Sequence, residues 1–177
     1  MSDDRGKKMV EETEIEYFLD AYEHITGRKL ELVNSHESPD FVCKEIGGAL
    51  VGVELAWVRR DPESAQWDRI IEKKDEMDPF SVTAEIYRLL EQKEAKRQKN
   101  YGDYADKCIL VLQIKEIPVC DLMPFIVKED YGSHGFIEVW VADYSTIEAF
   151  GGIELFGLSE HNWGYHENPS FGGKPYG

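Results

Sequence analysis

The sequence predicts a single α/β domain, a mixed β-sheet with helices on both faces. Three observations lead there: an amphipathic helical stretch precedes three short strand-like runs, a second amphipathic helix follows them, and the next run, "CILVLQI", is apolar on both faces. That is the signature of a central strand covered on both sides. A chain of 177 residues is long enough for one domain with a real core, and two full domains would be cramped. With 42% hydrophobic and 12% aromatic residues, it is too rich in large apolar side chains for a disordered chain.

In chain order, "VEETEIEYFLDAYEHITG" carries Ile15, Phe18, Leu19, Tyr22 and Ile25 at helical spacing, with Gly27 placed to end the helix. Residues 1–10 lie ahead of that pattern and are expected to be flexible. "KLELV" reads as a short strand and "NSHESP" as a loop. "DFVCKEI" and "ALVGVELAWV" read as two strands joined at Gly47 and Gly48. Beyond Trp57 the text turns polar, Pro62 and Pro79 punctuate it, and "SAQWDRIIEKKDEM" suggests a short helix inside an insertion. The second long helix takes Ser81 as its N-cap, runs to about Asn100 and presents Val82, Ile86, Leu89 and Leu90 as one stripe. "CDLMPFIVKED" suggests a further helix, "GFIEVWVADY" and "IELFGL" later strands, and residues 160–177 a coil tail rich in Gly, Pro and aromatics.

No run approaches the roughly 18 uncharged apolar residues of a membrane span, and the start of the chain lacks the apolar core of a signal peptide. The expectation is a cytoplasmic protein with no membrane partner. Cys43, Cys108 and Cys120 form no C-x-x-C pair, and each adjoins an apolar run, which predicts buried free thiols. The net charge of −15 argues against tight, non-specific nucleic-acid binding. Screening over about 10 Å nevertheless lets a local basic patch act alone. Arg88, Lys93, Lys96, Arg97, Lys99 and Lys107 form such a patch, although interleaved Glu91, Glu94, Asp103 and Asp106 also fit a salt-bridged solvated helix.

Within "ALVGVELAWV", alternation puts Leu50, Gly52, Glu54, Ala56 and Val58 on one face. Glu54 is thus flanked by the two smallest residues of its strand. A buried carboxylate needs a cation, a hydrogen-bond donor or water, and small neighbours leave room for one. If the turn takes Gly47 to Ala49, Asp40 falls opposite Ala56 and Val42 opposite Glu54. The two acids are then diagonal neighbours, roughly 6 to 8 Å apart at the backbone. That suits a shared hard divalent cation, with water and phosphate completing its shell. A two-residue Gly-Gly turn would place the acids on opposite faces unless a bulge near Gly52 restored the register.

Asp40 after Pro39, a hairpin, and Glu54 after V-G-V resemble the PD-(D/E)XK nuclease superfamily, and the order of elements agrees from about residue 11 to 115. The resemblance implies a restriction-endonuclease-like three-layer fold and hydrolysis of phosphodiester bonds in DNA or RNA. It also implies Mg²⁺ (or Mn²⁺) on Asp40 and Glu54, and a lysine two residues after the glutamate that helps activate water. Here that position is Ala56. Some members supply the lysine from the following helix, and Lys93 lies in the middle of that helix's apolar stripe, with Arg97 at i+4 and Lys96 on the flank. The catalytic set read from the sequence is Asp40, Glu54 and Lys93. Lys96, Arg97 and an acid of the first helix, Glu11 or Glu14, are accessory candidates. The plainer alternative has the helix end emerging from the sheet with its basic side chains snorkelling to water.

His161 and His166 have two-ligand spacing but lack a third partner, and no phosphate loop, Gly-x-Ser-x-Gly or Cys/His signature is present. Two functions remain. One is a metal-dependent nuclease; the other is a catalytically inactive module of the same fold, binding a protein partner or regulating a nucleic-acid enzyme. Geometry favours the first, Ala56 and the charge the second.

Overall fold

A computed structural model of the chain describes residues 3–59 and 78–166. The helix expected within the insertion and the end of the tail lie outside the described residues. The elements are α1 (Asp3–Thr26), β1 (Leu30–Ser35), β2 (Phe41–Glu45), β3 (Leu50–Trp57), α2 (Pro79–Asn100), a 3₁₀ turn (Gly102–Tyr104), β4 (Cys108–Ile114), α3 (Val119–Ile126), β5 (Glu138–Asp143), α4 (Ile147–Phe150), β6 (Glu154–Gly157) and β7 (Gly164–His166). The strands form one mixed seven-stranded sheet in the order β1 to β7. Its centre is parallel, β3 with β4 and β4 with β5, and the outer pairs are antiparallel. Each parallel step needs a crossover, which α2 and α3 supply.

The sheet separates two cores. Beneath α1, Ile15, Phe18, Ala21 and Tyr22 pack on Phe41, Val53, Leu55, Val111 and Trp140. On the other side, α2 and α3 cover Ala56, Leu110, Leu112, Val139 and Val141. Helices on both faces agree with the expectation, and β4 is buried along its whole length as its two-sided apolar reading required.

Where α2 starts differs from expectation. Pro79 opens the helix and Asp78 caps it, its Oδ1 accepting from the Ser81 N–H at 3.0 Å. Proline suits the first helical position because the N–H it lacks would have no partner there. The cap contributes about 1 kcal/mol. Val82, Ile86, Leu89 and Leu90, all buried, contribute about 1.5–3 kcal/mol each. The apolar stripe, more than the cap, holds α2 to the sheet.

Three further expectations are corrected. Residues 3–10 belong to α1: a helix already anchored by Ile15 and Phe18 extends by one hydrogen bond per added residue. Within the predicted coil tail, Gly164–His166 adds β7 to β6. Cys43 and Cys108 are buried free thiols, but Cys120 is exposed; it sits on the solvent side of α3, whose buried stripe is Val119, Leu122 and Ile126.

Candidate functional site

The β2–β3 hairpin determines the geometry. Phe41 pairs with Val53, Val42 with Gly52 and Lys44 with Leu50. Beyond them the Glu45 N–H donates to the Ala49 carbonyl at 2.8 Å, so the turn consists of Ile46, Gly47 and Gly48. Of the two turns the sequence left open, it is the three-residue kind, but it starts one residue earlier than Gly47. Gly48, at φ 90°, takes the left-handed position that glycine tolerates without a Cβ clash. Moving the turn back by one shifts the register by two, so side-chain faces are kept. Asp40 thereby stands directly across from Glu54 on the α2 face, one rung closer than the predicted diagonal.

Asp40 is half-buried, and the Leu55 N–H donates to its Oδ2 at 2.9 Å, which fixes the carboxylate across the mouth of the hairpin. Gly52 makes that placement possible: a Cβ there would stand 2.5 Å from Pro39 Cγ and 3.3 Å from Cys108 Sγ. The glycine of V-G-V lets Pro39, and Asp40 behind it, lie flat on β3.

Glu54 is fully buried. Lys96 Nζ donates to its Oε2 at 2.8 Å, Lys93 Nζ stands 3.6 Å from the same oxygen, and the buried Tyr101 hydroxyl also donates to it. Oε1 has no hydrogen-bond partner among the described residues, and the Asp40 carboxyl stands close enough to Glu54 to act on its proton affinity. Burial, then the bond and charge of Glu54, push the Asp40 carboxyl up to about 8. Burial opposes the Glu54 charge, but Asp40, Lys93, Lys96 and Tyr101 together hold its carboxyl below its ordinary range. Burial likewise opposes the Lys96 charge, yet its bond to Glu54 and the two carboxylate charges raise its ammonium above the ordinary value. Lys96 is therefore a fixed cation at neutral pH.

The sequence-predicted residues are thus partly brought together. Asp40, Glu54 and Lys93 meet, but Lys96, expected on the flank, makes the shorter contact. Arg97 does not join them: its Nε donates to the His134 carbonyl at 3.2 Å and its Nη1 to the Ala105 carbonyl at 2.8 Å, tying two loops to α2. Glu14 lies across the sheet, where Oε1 accepts from Trp57 Nε1 at 3.0 Å and Oε2 from Gln113 Nε2 at 3.3 Å. Glu11, whose charge acts on Glu14, belongs to the same helix on that far face. Alternation along β3 is the reason: Trp57 faces α1 and Glu54 faces α2. Tyr101 and Gly52 were missed as site residues. Their only signals were an aromatic just past the helix end and the smallest residue beside the buried acid.

A hard divalent cation suits an all-oxygen donor set. The open Oε1 of Glu54 and the raised Asp40 carboxyl mark a place short of positive charge, so these two residues fit such an ion. Among the described residues no group of three His, Cys, Asp or Glu side chains converges, His161 and His166 included. Water or a phosphate would have to supply the remaining oxygens. Comparison with protein-family models, with curated proteins and with solved structures gives no match.

Proposed function

We propose that the chain is a metal-dependent phosphodiesterase of restriction-endonuclease-like arrangement, acting on DNA or RNA. The observation that supports this most directly is the meeting of Asp40, just ahead of β2, with Glu54 of β3, with Lys96 and Lys93 beside them. Asp40 and Glu54 are the residues that would hold Mg²⁺ or Mn²⁺. Such an ion supplies a lowered pKa for water and neutralisation of charge on a phosphoryl oxygen. Lys96, about a third exposed and charged, faces outward from Glu54 and offers a donor to a phosphate oxygen or to the attacking water. Its raised pKa makes it an electrostatic and orienting group rather than a proton acceptor. Tyr101 and the Leu55 N–H keep the two carboxylates in place.

The test is cleavage of labelled single- and double-stranded DNA and RNA with Mg²⁺ or Mn²⁺, comparing the native chain with Asp40→Asn and Lys96→Ala. Metal-dependent cleavage is expected to fall at least a hundredfold in both variants, the scale of lost transition-state electrostatics. Cleavage that survives Asp40→Asn overturns the reading. One observation favours an inactive interaction module instead: Glu54 Oε2 is already occupied by the chain's own lysines and tyrosine. Calorimetric titration with Mn²⁺ separates the two, since the module predicts no heat of binding.

A further inference from the structure

A cavity of about 830 Å³ lies on the opposite face from the acid pair, where the carboxyl ends of β3, β4 and β5 meet the N-terminal half of α1. Its lining includes the rings of Tyr17, Trp57 and Tyr144, the carboxylate of Glu14, and Arg59 and Lys115. The rings meet at steep angles: Tyr17 and Tyr144 at 85° with centroids 6.4 Å apart, Trp57 and Tyr144 at 49° and 5.4 Å. Rings so inclined form a corner. A flat heterocycle stacks best between parallel plates, whereas a compact cation gains from facing several inclined rings at once.

Glu14 gives the corner its charge. It is 8% exposed, its two oxygens accept only from the neutral donors of Trp57 and Gln113, and among the described residues no lysine or arginine forms an ion pair with it. Burial holds its carboxyl above the ordinary range. A buried carboxylate satisfied by neutral donors attracts a cation. One is already near: the Arg59 guanidinium lies over the Trp57 ring at 5.7 Å, and its charge acts on Glu14. Arg59 is itself exposed among the described residues, so none of them buries it in that position. A hard metal ion fits poorly, because Glu14 is the only well-buried acid of the lining and both its oxygens are in use. An anion is disfavoured by the same carboxylate.

We propose that this cavity binds a small organic cation, an ammonium or guanidinium group carried on an apolar body, and that Arg59 is an internal stand-in which the ligand displaces from the Trp57 ring. The apolar body rests on Val10, Val58 and Ile147. The net charge of −15 raises the local concentration of such ligands. This assignment is independent of the nuclease reading, since it uses none of the residues around Glu54.

The test is calorimetric titration of the full chain with choline, tetramethylammonium and agmatine, beside 3,3-dimethylbutan-1-ol, the uncharged isostere of choline. One cation per chain is expected to bind, with the alcohol at least tenfold weaker. Trp57→Ala and Glu14→Gln should each weaken binding about tenfold, the scale of a lost ring face or charge partner. Arg59→Ala should tighten it several-fold, an effect no merely structural role of Arg59 produces. Should Trp57→Ala fail to fold by circular dichroism, the exposed Arg59 still decides the matter. Absence of binding by all three cations, equal affinity for the alcohol, or weaker binding by Arg59→Ala overturns the proposal.

Discussion

At Glu54 a fully buried carboxylate is sustained by Lys96, Lys93 and Tyr101, and removing one partner of a buried pair costs about 3–5 kcal/mol. Lys93 remains when Lys96 is replaced, so Lys96→Met is expected to lower stability by about 1–3 kcal/mol, measured by urea unfolding. Its neighbour behaves oppositely. An ordinary aspartate ionises near 3.8, and Asp40 is pushed up to about 8 by burial and by Glu54. Between those values the folded chain keeps a proton that the unfolded chain has released, so this group makes stability fall as pH rises from about 4 to 8. Glu54, lowered from 4.5, contributes stability that is present above that value and is lost as pH falls through its folded value. Asp40→Asn removes the first effect, and above pH 5 the second, confined to pH below 4.5, does not enter the comparison. Its melting temperature relative to the native chain should therefore rise between pH 5 and pH 9, about 2–4 °C for each kcal/mol relieved; a flat difference in scanning calorimetry would show that Asp40 ionises normally. The acids were legible as a pair because alternation and a glycine neighbour are sequence properties. The nearest lysine was not, since a helical wheel ranks Lys93 above Lys96, whereas a four-carbon stem lets a flanking lysine reach a buried oxygen equally well.

Elements set how those residues meet. The faces within each strand could be read from parity, but how the two strands face each other depended on whether the turn takes two residues or three and on where it starts, and two adjacent glycines permit each choice. Only the left-handed φ of 90° at Gly48 and the bond from Glu45 to Ala49 separate the alternatives. Gly52 supplies a prediction at this scale. A methyl group there would meet Pro39 Cγ at 2.5 Å, closer than packed atoms allow, so Gly52→Ala should push the Pro39–Asp40 segment off β3 and break the bond from the Leu55 N–H. The expected cost is about 1–3 kcal/mol, the range for overpacking, with loss of divalent-ion binding even though both acids are intact. Unchanged Mn²⁺ affinity in Gly52→Ala would mean that the segment's position does not matter. Long, strongly periodic elements such as α1, α2 and β4 were readable, whereas the three-residue β7 is shorter than any window in which a period can be recognised.

For the whole molecule, one sheet divides two polar centres of different character. The side facing α2 carries two acids and the lysines Lys93 and Lys96; the side facing α1 carries a ring-lined cavity with Glu14 as its buried acid. They share β3, with Glu54 and Trp57 three residues apart, about 10 Å along a strand, and their side chains point in opposite directions. Close-packed apolar layers flank both, and the two centres have no side chain in common. Perturbations at sites so separated generally add to within about 0.5 kcal/mol. A ligand that binds only the folded chain raises its melting temperature by mass action. Mn²⁺ is therefore expected to stabilise the native chain but not Asp40→Asn. An organic cation should stabilise both equally, and the two ligands together should give the sum of their separate shifts. A thermal-shift matrix of two ligands against the native chain, Asp40→Asn and Glu14→Gln measures this directly. If Asp40→Asn abolished the response to the organic cation, the sheet would be coupling the two faces, and the independence read from the alternation of β3 would be wrong.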